Sequence, residues 1–108
     1  MASRVRQGTD AERRAMQWLL HNTRATHVLR MARSHGEADL VAAGDGEVWF
    51  IGVRSGGAPR HTPAERAGLR ELMEAGGDCC EAWEWLERSR GAGHPREVTF
   101  RRIEPEGE

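Results

Sequence analysis

Two apolar runs meeting at Asp45-Gly46 constrain this chain more than any other feature. From Arg30 to Ser55 it reads R-M-A-R-S-H-G-E-A-D-L-V-A-A-G-D-G-E-V-W-F-I-G-V-R-S. Asp-Gly between apolar segments is a strong two-residue hairpin signal, because both turn positions need positive φ. The first run, Gly36 to Ala43, is expected to be a strand stopped by Gly44-Asp45-Gly46. The second, Glu47 to Arg54, alternates. Trp49, Ile51 and Val53 lie on one face, and Val48, Phe50, Gly52 and Arg54 on the other. Asp39 is thereby expected across the hairpin from positions 52 and 54.

A carboxylate facing such a pair is the layout of a metal-dependent phosphodiesterase core. S-x-G-x-x-D-L-V-A (34–42) followed by W-F-I-x-V-[KR]-S (49–55) resembles the PD-(D/E)xK nuclease superfamily, and within it the small archaeal-type Holliday-junction resolvases that phages also carry. The resemblance extends to Arg6-x-Gly8-x-x-x-Glu12-Arg13 and Arg30-x-x-x-Ser34, and covers most of residues 6–75. It implies Glu12 and Asp39 as metal-site carboxylates, Ser34 as a catalytic-loop serine, and Mg²⁺ (or Mn²⁺) as cofactor. It also implies branched DNA as substrate and a homodimer suited to a two-fold substrate. The third motif departs from the pattern. Where the family has Glu or Gln, any residue, then Lys, this chain has Gly52, Val53 and Arg54. Gly52 offers no ligand, and Arg54 can pair with a phosphate but cannot give up a proton. The remaining metal shell would be Glu12, Asp39, the Val53 carbonyl, water and substrate.

Two functions follow. One is a Mg²⁺-dependent, structure-selective DNA endonuclease with Glu12, Ser34, Asp39 and Arg54 at its site. The other is a non-catalytic relative that binds nucleic acid through Arg4, Arg6, Arg13, Arg30, Arg33 and Arg54, or serves as a protein-interaction subunit.

Charge distribution bears on this choice. All 16 basic residues are Arg, which reads first as GC-rich codon usage and only secondarily as a preference for phosphate. Residues 1–36 hold seven Arg against two acids, and residues 61–108 hold seven Arg against eleven. A basic N-terminal face able to track phosphates is one reading, and solvated helix faces are the other.

With 108 residues, 38% hydrophobic and 31% charged, the chain suits one soluble domain. No apolar run approaches the roughly 20 residues of a membrane span, and M-A-S-R-V-R lacks a signal peptide's apolar core. A cytoplasmic protein is expected. Cys79 and Cys80 are adjacent on a predicted strand, so a bond between them is not expected. Glu37 reads as a surface charge, and His21, His27, His35, His61 and His94 as structural or exposed, since none has a partner at metal-ligand spacing.

In chain order, residues 1–8 read as a basic arm, 9–103 as a nuclease-like α/β domain and 104–108 as an acidic tail. T-D-A-E predicts a capping box with Thr9 as N-cap and Glu12 at N3, a structural role that competes with metal binding. Ala11, Ala15, Met16, Leu19 and Leu20 form the helix's apolar stripe. Thr26 to Met31 reads as a strand. T-P-A-E opens a second helix, capped by Thr62 with Pro63 at N1 and closed at Gly76-Gly77. Cys79 to Leu86 and Arg96 to Ile103 read as strands, and in the former the buried face is open, with the tryptophans favouring the Trp83 and Trp85 side. The order α-β-β-β-α-β-β predicts a single α/β domain, a central mixed sheet flanked by helices, which the resemblance makes restriction-endonuclease-like.

Overall fold

The computed structural model describes residues 2–31, 38–57 and 59–105, residues 2–9 by their backbone course. Helix α1 (Ala2–Asn22) is followed by strands β1 (His27–Arg30), β2 (Leu40–Gly44) and β3 (Glu47–Arg54). Helix α2 (Pro63–Gly76) and strands β4 (Cys80–Arg88) and β5 (Glu97–Ile103) complete the predicted order. The five strands form one sheet in sequence order, antiparallel except for the parallel pair β3–β4. That pair needs a crossover, and α2 supplies it.

The hairpin forms as expected. Asp45 (φ 55°) and Gly46 (φ 80°) take the two positive-φ positions of a tight turn, and Leu40 pairs with Ile51. Gly44 is required for another reason: a Cβ there would collide with the Arg24 carbonyl and lie 2.8 Å from Ala25 Cα.

Helix α1 differs from expectation at its start. It runs back through Thr9 to Ala2, so Thr9 is not an N-cap and the Thr9–Glu12 capping box does not form. Arg and Gln upstream propagate the helix readily, and the backbone ladder replaces the box. Ala11, Ala15 and Leu19 are fully buried at i, i+4 and i+8, whereas Leu20, expected in the stripe, is 45% exposed. Helix α2 follows the reading closely. Glu65 N–H donates to Thr62 Oγ1 (3.1 Å), Thr62 N–H donates to Glu65 Oε1 (2.8 Å), and the helix stops where Gly77 adopts φ 95°.

The helices cover opposite faces of the sheet. Ala15 and Leu19 of α1 pack with Val28, Leu40, Ala42, Ile51 and Trp85. Leu69 and Met73 of α2 pack with Ala38, Ala82 and Ile103. Strand β4 therefore lies between two layers, and both its faces are buried: Ala82, Glu84 and Leu86 on one, Trp85 and Glu87 on the other. On the α1 side an aromatic group stacks across three strands, Trp49 on Trp83 at 4.9 Å and Trp83 on Phe100 at 4.5 Å between centroids. Trp18 meets Trp85 and Phe100 edge-on. The sulfurs of Cys79 and Cys80 stand 3.8 Å apart as free thiols. Among the described residues, no helix is long and apolar enough to cross a membrane.

Candidate functional site

Asp39 lies where β2 begins, and backbone bonds hold it there. Its N–H donates to the Ile51 carbonyl (2.9 Å), and its carbonyl accepts from Met31 N–H (2.9 Å). Its carboxylate Oδ2 accepts the Val53 N–H at 2.8 Å. The predicted acid and the third motif are thus in contact, through the Val53 amide.

Glu12 and Arg54 are engaged elsewhere. Glu12, on α1, accepts from Arg30 Nε at 3.0 Å, so two residues expected in separate roles pair with each other. Arg54 Nη1 donates to both oxygens of Glu65, at 2.5 and 2.7 Å. Burial pushes the Glu65 carboxyl up, but the Thr62 N–H and the Arg54 guanidinium outweigh it and hold the carboxyl below its ordinary range. The capping acid of α2 therefore claims the cation that ends the third motif. Ser34, Arg33, His35 and Glu37 lie outside the described residues, as do the side chains of Arg4 and Arg6. Arg13 is exposed and makes no side-chain hydrogen bond or ion pair among the described residues.

The strongest polar cluster in the interior is one the sequence reading missed. Glu84 is completely buried in β4, next to Gly52 in the parallel register. Its Oε2 accepts from Arg60 Nε at 2.6 Å and pairs with the same guanidinium through Nη2. Its Oε1 accepts from the His61 N–H at 3.0 Å, with His61 Nδ1 at 2.9 Å. Burial pushes the Glu84 carboxyl up, yet these donors bring it down to about 2. On the other face, Glu87 takes Arg14 through Nε (3.1 Å) and Nη2 (2.6 Å), and accepts the Trp85 indole N–H at 3.0 Å. A signal was present. W-E-W-L-E puts two acids in an apolar strand, where a charge is tolerated only with a partner.

Among the described residues, this donor set does not assemble the Mg²⁺ site that the resemblance implies. Among the described residues, no three or more His, Cys, Asp and Glu side chains gather in one place. Glu12 faces a cation, Gly52 has no donor, and the acid beside Gly52 in register, Glu84, already has both oxygens occupied.

No family model and no curated protein matches the chain. Among solved structures, it is similar to the 1.6 Å structure of Hjc, a Holliday junction resolvase from the archaeal hyperthermophile Archaeoglobus fulgidus. The TM-score is 0.68 at 22% identity, over 90% of this chain and 73% of that one. Element order, mixed sheet and helix placement agree with the fold that the resemblance implies: the chain has the fold that this archaeal Holliday junction resolvase displays.

Proposed function

We propose that this chain binds branched DNA on a resolvase-type scaffold and does not cut it. One observation carries the reading: the groups at the third motif are either missing or already bound. Gly52 supplies no ligand, Arg54 is held by Glu65, and Glu84 beside Gly52 is held by Arg60 and His61. Phosphodiester hydrolysis needs a deprotonated water and a cation that neutralises the developing charge. Arg54 cannot accept a proton and its charge is taken by Glu65, so neither requirement is met by residues 52–54 as they stand. Binding asks for less. Arg13 and Arg30 are exposed, and the N-terminal third carries a surplus of Arg that can contact phosphates. A homodimer would present that surface twice, matching a two-fold junction.

Glu12 and Asp39 favour a second reading, a Mg²⁺- or Mn²⁺-dependent structure-selective endonuclease. In it Glu12, Asp39 and the Val53 carbonyl are the ligands, and Arg54 leaves Glu65 for the scissile phosphate. The retained carboxylates and the Asp39–Val53 contact support this alternative.

Incubation with labelled four-way junction, duplex and single-stranded DNA, with Mg²⁺ or Mn²⁺, separates the two. Expected are salt-sensitive binding to the junction and no nicks. Symmetric junction nicks would establish the endonuclease instead, and no binding at low salt would remove DNA from both readings.

A further inference from the structure

A cavity of about 450 Å³ opens where the parallel strands β3 and β4 both end, on the side where α1 lies. The carboxyl ends of parallel strands are a common place for ligands, since the chain turns away there and leaves a crevice. Here Ser55-Gly56-Gly57 leaves β3, and Arg88-Ser89 leaves β4. Gly56 and Gly57 have φ of 102° and 93°, in the left-handed region that glycine favours. A Cβ on Gly56 would meet nothing within 4 Å, so this wall is open backbone.

The charges in the cavity do not cancel. Arg14, Arg88 and Arg96 line it with only Asp10 and Glu87 as acids. Glu87 is already committed, since its carboxylate takes Arg14 and the Trp85 indole. Arg88 makes no side-chain hydrogen bond or ion pair among the described residues, and Arg96 acts on Glu87 only by long-range attraction. Ser89 Oγ accepts the Gly91 N–H at 3.3 Å, which leaves its own hydrogen to donate. The Gly57 N–H is taken by the Glu87 carbonyl at 3.4 Å, but two uncommitted guanidinium groups, serine hydroxyls and the open Gly56 backbone are the donors that a tetrahedral oxyanion requires.

We infer that this cavity is a phosphate-binding pocket, with Arg88 and Arg96 as its charged ligands and Ser89 as a neutral one. On the reading that the chain binds DNA, the group it seats is a backbone phosphate, away from Gly52 and Arg54 on the sheet's other face. The pocket then adds an anchor that positions DNA without reading sequence.

The test is an NMR titration of ¹⁵N-labelled protein with inorganic phosphate, with chloride at equal ionic strength as control. The Arg88 and Arg96 Nε–H and the Gly56 amide resonances should shift and saturate with phosphate alone. In R88Q/R96Q the apparent affinity should fall roughly tenfold or more, the loss expected for one or two charge-assisted bonds. Both residues are exposed, so the variant should fold, with the Trp85 indole resonance reporting an unchanged Glu87 contact. A response equal to that of chloride, or equal affinity in the double variant, would overturn the pocket. A four-way DNA junction at low salt identifies the source. Movement of the same resonances supports a backbone phosphate, and junction binding that leaves them still overturns that assignment. Saturation by phosphate with no junction binding at all sustains the pocket and removes the DNA reading.

Discussion

Replacing Glu84 by Gln keeps its size and removes its charge, and the consequence follows from its surroundings. The native carboxylate is fully buried and accepts from Arg60 and from the His61 backbone. A glutamine there retains one acceptor, and its amide NH₂ group turns a second donor toward a guanidinium. Breaking a buried pair on one side costs about 3–5 kcal/mol, so E84Q should lose about that much at pH 7. The loss should depend on pH. The folded-state pKa, about 2, lies below the ordinary 4.5, so the carboxylate's contribution is full above the higher value and disappears as pH falls through the lower. At ~1.4 kcal/mol per unit the whole contribution is about 3 kcal/mol, of which about 2 is gone by pH 3. Urea unfolding followed by tryptophan fluorescence at pH 7 and pH 3 measures both quantities. Glu65 and Glu87 are also held below their ordinary range and give both proteins a shared acid sensitivity, so the difference between wild type and E84Q is the informative number. The gap should narrow by about 2 kcal/mol at pH 3. A gap under about 1 kcal/mol at pH 7, or one that stays constant with pH, would refute the argument.

G52E/R54K should restore a carboxylate and a titratable amine beside Asp39. On a sound scaffold Mg²⁺ binding measured by calorimetry should rise and junction cleavage should appear, whereas a folded variant that does neither shows decay beyond residues 52–54. Because the new carboxylate at position 52 would neighbour Glu84, the apo form of this variant should melt below wild type and regain stability with Mg²⁺, which differential scanning fluorimetry reads. G44A should destabilise by several kcal/mol, since the new methyl meets backbone that cannot move aside, and a urea midpoint near wild type would contradict this. Light scattering should give a dimer, and Leu29, 65% exposed, is an apolar side chain free to line its contact, so L29E should give monomers.

Features encoded in neighbouring residues were legible in the sequence. The Asp45-Gly46 turn, the alternation of Glu47 to Arg54 and the T-P-A-E box each contain their own instruction, and each formed as expected. The start of α1 was less legible. T-D-A-E satisfies the same local rule as T-P-A-E, but nothing breaks the helix before Thr9, whereas Pro63 fixes the first turn of α2. At the site, Asp39 was placed beside residues 52–54 from hairpin register alone, a short-range inference. The partners of Glu12 and Arg54 were not, because Arg30 and Glu65 reach them through tertiary packing. Glu84 and Glu87 have the most distant partners, Arg60 and Arg14, and no local spacing connects them.

Those two acids also determine how β4 aligns with its neighbours. Side chains alternate along a strand, so acids three apart must leave by opposite faces: Glu84 toward Arg60 ahead of α2, Glu87 toward Arg14 on α1. A slip of one residue would exchange every side chain between the faces. The apolar residues would resist it weakly, because Trp83 and Trp85 on one side and Ala82 and Leu86 on the other are all compatible with an interior. The carboxylates would not. Each would be driven into the wrong layer without its arginine, at about 3–5 kcal/mol apiece. Alignment of β4 is thus written in its two charges, and a chain with both changed to Gln should tolerate misaligned pairing that the native sequence forbids.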